Sequence, residues 1–243
     1  MDNLLIEIAK ERFENPKNHS VHLVDDEIAN SFLNDLKRYP HAFVLACLMD
    51  RQMKAERAWM IPYEISKEIG TFDFDNLTNL SLRKIKSIFK RKSLHRYPDT
   101  MAECFYLGIK DIKIKYNGNA AEIWTGKPSS SAVVYKFLEF KGCGVKIATM
   151  AANILARQFR IPFSDLYSID ISPDVHIKRV LKRMGYVPKD ASNEMIIYKA
   201  RELYPKFPGI IDHTCWEIGR NWCKPRKPTC SECIVEATCK KVI

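Results

Sequence analysis

The stretch Phe140-Lys141-Gly142-Cys143-Gly144-Val145-Lys146-Ile147-Ala148 decides the fold. Apolar segments flank its two glycines. Ala132 to Phe140 and Val145 to Phe159 both carry helical spacing, the second with small residues on one face. Helix, Gly-x-Gly, helix is a compact αα-hairpin. The glycines allow positive φ and leave backbone N–H groups unshielded at the start of the second helix, a geometry that suits a phosphate oxygen. A plain helix connector carries the same pattern, so the turn alone leaves both readings open.

Outward from the hairpin, the chain continues to read as helix. Residues 3–13 and 26–38 have apolar residues at helical spacing (Leu4, Leu5, Ile8; Ile28, Phe32, Leu36). Ala42 to Met49 reads as a buried helix, and Ile61 to Ile69 as another stopped by Gly70. Asn79 or Ser81 caps a basic helix running to about Lys92. A further helix starts at Asp99 and runs to Ile109, and Ala120 to Trp124 is a short helical piece. Val175 to Met184 is a helix ending at Gly185. No alternating strand pattern persists, so the predicted fold class is all-α.

Composition bounds the function. The chain has 243 residues, with 39 Lys+Arg against 29 Asp+Glu and a formal net charge of +10. That excess points to a polyanionic partner, nucleic acid or an anionic membrane surface. Seven basic residues (Arg83, Lys84, Lys86, Lys90, Arg91, Lys92, Arg96) lie within Arg83 to Arg96, which contains no acid. No apolar run approaches the ~18 residues of a membrane span. The first residues have no basic leader and do not read as a signal peptide. The expected compartment is the cytoplasm, where eight cysteines argue for free thiols or a metal site.

The cysteines divide in two. Cys47, Cys104, Cys143 and Cys215 sit among apolar neighbours and read as small buried hydrophobes. Cys223, Cys230, Cys233 and Cys239 follow C-x6-C-x2-C-x5-C in a segment rich in Lys, Arg and Pro. Four thiolates this close can build an S4 site, for which zinc and an iron–sulfur cluster are both candidates.

The hairpin stretch resembles the Leu-Pro-Gly-Val-Gly-x-Lys-x-Ala hairpin of helix-hairpin-helix DNA glycosylases. Downstream, Asp174-Val175-His176-Ile177-Lys178-Arg179-Val180 resembles that family's Asp-x-His-x-x-Arg-Val segment. The cysteine spacing is similar to the one with which the endonuclease III branch holds a [4Fe–4S] cluster. The three motifs stand in the family's order and cover roughly residues 40 to 240.

The resemblance implies a base excision repair glycosylase with abasic-site lyase activity, Lys146 being the nucleophile and Asp174 its partner. Such an amine attacks the sugar C1′ only when neutral, which calls for burial and the positive end of a helix. A nearby carboxylate assists deprotonation and stabilises the oxocarbenium-like charge as the base leaves. Asp174 also suits an N-cap, and His176 reads as structural. Gly142 and Gly144 become backbone contacts to DNA, and Lys224, Arg226 and Lys227 face its phosphates. Because a base must leave the stack to be attacked, Gln52 is the expected gap-filling residue and Leu94 a candidate wedge. Trp59, Tyr63, Trp124 and Tyr135 read as core rather than stacking groups.

The resemblance further implies a barrel domain over 34–158 and a discontinuous cluster domain over 1–33 and 159–243. The expected partner is double-stranded DNA carrying a damaged or mismatched base, bound by a monomer at the nucleoid. Lys141 and Cys143 replace the family's Pro and Val. The 28 residues from Lys146 to Asp174 exceed its usual spacing, which reads as an insertion within Gln158 to Ile171 and brings in Asp170 as a second aspartate. Oxidised pyrimidine is the first-choice substrate class; 8-oxoguanine, mismatched T or U, and alkylated bases are alternatives. A non-catalytic DNA-scanning iron–sulfur protein is the alternative class.

Overall fold

The computed structural model describes residues 3–15 and 22–242. Among these residues every regular element is helical and none is a strand, as the missing alternation predicted. In chain order the helices are α1 (Leu4–Glu14), α2 (Glu27–Asn34), α3 (Pro40–Met49), α4 (Ala55–Trp59), α5 (Ile61–Ile69), α6 (Phe74–Thr78) and α7 (Leu82–Arg91). They continue with α8 (Pro98–Lys115), α9 (Ser130–Leu138), α10 (Val145–Arg157), α11 (Val175–Arg183), α12 (Asn193–Leu203) and α13 (Asp212–Asn221). Short 3-10 turns lie at Ala120–Ile123, Pro208–Ile211, Cys230–Glu232 and Glu236–Thr238.

The helices form two compact units. One comprises Met1–Lys17, Ser129–Val134 and Ala152–Ile243; the other comprises Asn18–Pro128 and Tyr135–Ala151. Helices α9 and α10 each contribute residues to both.

In the second unit α3 is central, with all ten of its residues buried. A helix apolar on every side belongs inside a domain, and Pro40 opens it where a missing N–H is no loss. Burying Phe43, Leu45 and Leu48 contributes about 1.5–3 kcal/mol each. Helix α7 is capped by Ser81, whose hydroxyl accepts from the Lys84 amide at 3.2 Å. It buries Ile85, Ile88 and Phe89 and leaves its charges outside. Helix α8 extends beyond Ile109 because Ile112 prolongs the buried stripe of Met101, Phe105 and Ile109. In the other unit α11 packs along α13, with Ile177, Leu181, Cys215 and Ile218 buried.

Three histidines in this framework are kept neutral. Burial lowers His41, whose Nε2 lies 2.7 Å from the Phe72 carbonyl, and burial also lowers His95. Burial, then the charges of Arg157 and Arg12, push His213 down to about 3. The unfolded chain takes up these protons near its ordinary pKa of 6.5, whereas the folded chain takes them up only at lower pH. Stability is therefore complete above that value and falls as pH drops through it, with His213, lowered to about 3, contributing up to about 1.4 kcal/mol per pH unit. Urea melts should give a level midpoint above about pH 7 and a steep decline below pH 6.5.

Candidate active site and cysteine pocket

The hairpin is built in the second unit. Phe140 is buried against Phe137 and stacks on Tyr116, which anchors the turn. Cys143 donates its amide to the Phe140 carbonyl at 3.0 Å, and the Gly144 carbonyl accepts from Ile147 and Ala148 at 3.0 Å each. The two glycines do different work. Gly142 is left-handed (φ +86°), and an added Cβ would lie 2.9 Å from Cys104 Sγ and 3.1 Å from Arg51 Nη1. Gly144 is not left-handed, and its Cβ would meet nothing within 4 Å. The fold therefore demands only the first glycine. The second leaves a bare backbone edge beside the N-terminus of α10.

Lys146 stands on the first turn of α10 and is exposed. Of the two influences expected on it, the helix terminus is present and burial is not. Cys143 is buried, and burial pushes its thiol up to about 12. Lys141 is exposed and paired with Glu103.

The Arg51 guanidinium beside Gly142 brings a second segment to the turn. The next residue, Gln52, is exposed and left-handed (φ +52°). Its Oε1 accepts from the Tyr97 hydroxyl at 3.0 Å. Ser93 is also left-handed (φ +48°), and its carbonyl accepts from Arg57 at 3.1 Å. Leu94 is a correction: at 7 % exposed it faces the interior and does not project as a wedge. Tyr135 is another, being 66 % exposed on α9, whereas Trp59 and Trp124 are buried as expected.

The basic segment is less bare than its sequence suggests. Lys90 pairs with Asp99 at 2.9 Å, Arg91 pairs with Glu68, and Lys92 pairs with Glu64 at 3.2 Å. Among the described residues Arg83, Lys84, Lys86 and Arg96 make no ion pair.

In the other unit Asp174 caps α11. Its Oδ1 accepts from the amides of His176 and Ile177 at 2.8 Å each, and Oδ2 takes no part in the cap. Asp170 is 7 % exposed, and Arg201 grips both its oxygens at 2.7 Å. That aspartate is consumed by structure. His176 packs against Trp216 and Gly219, in agreement with a structural role.

All four clustered cysteines, Cys223, Cys230, Cys233 and Cys239, line one pocket with Val180, Met184 and Ile218. Sequence reading missed what holds it. Arg179 donates to the Cys223 carbonyl at 2.6 Å and to the Gly219 carbonyl at 2.8 Å. Arg183 donates to the carbonyls of Lys224 and Pro225 and lies 3.6 Å from Cys223 Sγ. The two arginines are one helical turn apart on α11, and that i, i+4 spacing was the available signal. Lys224, Arg226 and Lys227 are exposed on the loop they clamp. Among the described residues, no three His, Cys, Asp or Glu side chains close up around a single ion. The scattered cysteines Cys47, Cys104, Cys143 and Cys215 are buried, as expected. No described helix is long and apolar enough to cross a membrane.

No family model matches the chain. An endonuclease III of Sulfolobus acidocaldarius is 20 % identical over 88 % of this chain and 87 % of its own. A solved structure of a trapped endonuclease III–DNA covalent intermediate aligns with a TM-score of 0.63 at 18 % identity, covering 99 % of this chain and 97 % of that one. The 8-oxoguanine glycosylase/lyase of Clostridium acetobutylicum, solved with double-stranded DNA containing cytosine opposite 8-oxoguanine, aligns at 0.56 with 18 % identity over 87 % of this chain and 76 % of that one. The structural likenesses establish the fold, and the curated relative matches the chain along nearly its whole length. Over most of its length the chain is thus similar to endonuclease III in sequence and shares the helical fold of the solved helix-hairpin-helix DNA glycosylases.

Proposed function

We propose that this protein is a base excision repair DNA glycosylase with abasic-site lyase activity. The observation that carries the reading is the Gly142–Gly144 turn, which sets an exposed Lys146 at the start of α10 beside a bare backbone edge. The Lys146 amine attacks C1′ and the base departs with the electrons of the glycosidic bond. Asp174, through the oxygen its cap does not use, takes the amine's proton and offsets the positive charge that develops on the sugar. The aminal so formed opens to a Schiff base as the C1′–O4′ bond breaks and O4′ takes a proton, and loss of a C2′ proton then expels the 3′ phosphate by β-elimination and nicks the strand. Oxidised pyrimidine is the first substrate class to test, with 8-oxoguanine, mismatched T or U, and alkylated bases behind it. A panel of duplexes, each with one lesion, scored for released base and for a nick formed without alkali, tests the reading. A protein that binds these duplexes but leaves every one intact would refute it.

The cysteine-bearing unit would be the cluster domain and the hairpin-bearing unit the barrel domain. Four thiols lining one pocket fit a [4Fe–4S] cluster held by Cys223, Cys230, Cys233 and Cys239. When bound, the cluster supplies a cross-link for the loop and a one-electron centre. Metal binding at such a site adds to folding free energy. The protein should purify brown, and Cys233→Ser should lose both the visible absorbance and several degrees of Tm. A colourless, zinc-containing wild type would contradict the cluster assignment. Lys224, Arg226 and Lys227 would touch phosphates, as would Gly142 and Gly144 through their backbone. A monomer acting on chromosomal DNA in the cytoplasm completes the proposal.

A further inference from the structure

Two loops separated by more than forty residues meet at Gln52. Tyr97 reaches across to it, and Tyr97 is itself fixed from several directions. Its amide donates to His95 Nδ1 at 3.0 Å, which assigns the ring proton to Nε2. His95 is only 4 % exposed, so the ring is a firm support. Pro98 opens α8 immediately afterwards and restricts the backbone of Tyr97. The Arg96 guanidinium lies over the Tyr97 ring, 5.4 Å from its centroid. The hydroxyl so placed donates to Gln52 Oε1 at 3.0 Å. A phenolic hydroxyl is a better donor than acceptor. The contact therefore selects one of the two amide orientations and turns the Nε2 donors away from Tyr97. The backbone of Gln52 is held as well, in a left-handed conformation that a side-chain-bearing residue adopts only when its surroundings impose it.

We infer that Tyr97 is a positioning residue for Gln52: its hydroxyl presets the glutamine with the amide nitrogen outward, to fill the gap and face the base left unpaired in the duplex. This rests on the glycosylase reading above. A free glutamine side chain must be ordered on insertion, and one already tethered has less freedom to lose. The bond therefore acts on recognition of the gap, not on the affinity of the protein for intact duplex.

The test compares binding of a duplex carrying a tetrahydrofuran abasic analogue with binding of the same duplex intact. Wild type, Tyr97→Phe, Gln52→Ala and the double variant are measured by fluorescence anisotropy. Tyr97→Phe keeps the ring and removes one hydroxyl. It should lower the preference for the abasic analogue by about three- to tenfold, the net effect of one hydrogen bond. Affinity for intact duplex and Tm should be unchanged. In the Gln52→Ala background the Tyr97→Phe change should have no further effect, a coupling that a merely structural role would not produce. A Tyr97→Phe protein with full preference, or losses that add in the double variant, would overturn the inference while leaving the glycosylase reading intact. A wild type with no preference for the abasic analogue would overturn both.

Discussion

Lys146→Ala should abolish the borohydride-trapped adduct between the protein and a duplex containing an abasic site. The chemistry makes this an all-or-none result. A Schiff base needs a primary amine at C1′, and hydride reduces the C=N bond to a stable secondary amine that links protein to DNA. Without the amine there is no C=N bond to reduce, and protein and DNA stay unlinked. Lys146→Arg keeps the charge but supplies no equivalent nucleophile, because a guanidinium stays protonated. It should bind the duplex about as well as wild type and still trap none. Lys141 is the internal control. It lies five residues earlier, across the Gly142–Gly144 turn, is also exposed, and is tied to Glu103. Lys141→Ala should trap normally. Residual trapping in Lys146→Ala at wild-type level would mean that another amine is the nucleophile and that the hairpin lysine only binds phosphate.

What the sequence could convey differs from element to element, for physical reasons. Helix boundaries were legible where one residue type has one job. Ser81 accepts an amide hydrogen bond and starts α7; Asp174 does the same for α11. The hairpin was legible because Gly142 must adopt positive φ against Cys104 and Arg51. The four clustered cysteines were legible because thiols seldom gather in a polar loop for packing reasons. The partners of these residues were not. Arg183 and Arg179 serve carbonyls of the cysteine loop, and backbone acceptors leave no trace in side-chain identity. Tyr97 and Gln52 meet across forty-five positions, a pairing that only the fold creates. Leu94 carries the same letter on a surface wedge as in a core, and here it is buried. The charge of Arg83 to Arg96 was legible as a sum but not as a surface, since Glu64, Glu68 and Asp99 neutralise part of it from other helices.

Asp174 offers the sharpest separation of structure from chemistry, because asparagine can perform one of its two tasks and not the other. The cap consists of two amide hydrogen bonds to a single oxygen, from His176 and Ile177 at 2.8 Å. An asparagine Oδ1 accepts the same two bonds, and Asn and Asp are near-equal N-caps. Losing the negative charge at a helix N-terminus costs only about 0.3–1 kcal/mol. Asp174→Asn should therefore fold with a modest loss of stability, while Asp174→Ala loses the cap as well and about 1 kcal/mol more. Base release should fall in both by about 100- to 10,000-fold, because neither retains a carboxylate to take the amine's proton or to offset charge on the sugar. Trapping on a preformed abasic site tests the assignment further. There the base has already departed, so Asp174→Asn should retain far more trapping than it retains base release. If Asp174→Asn instead released base at the wild-type rate while Asp174→Ala lost both stability and activity, the aspartate would be a helix cap alone. The proton would then have to go to some other group.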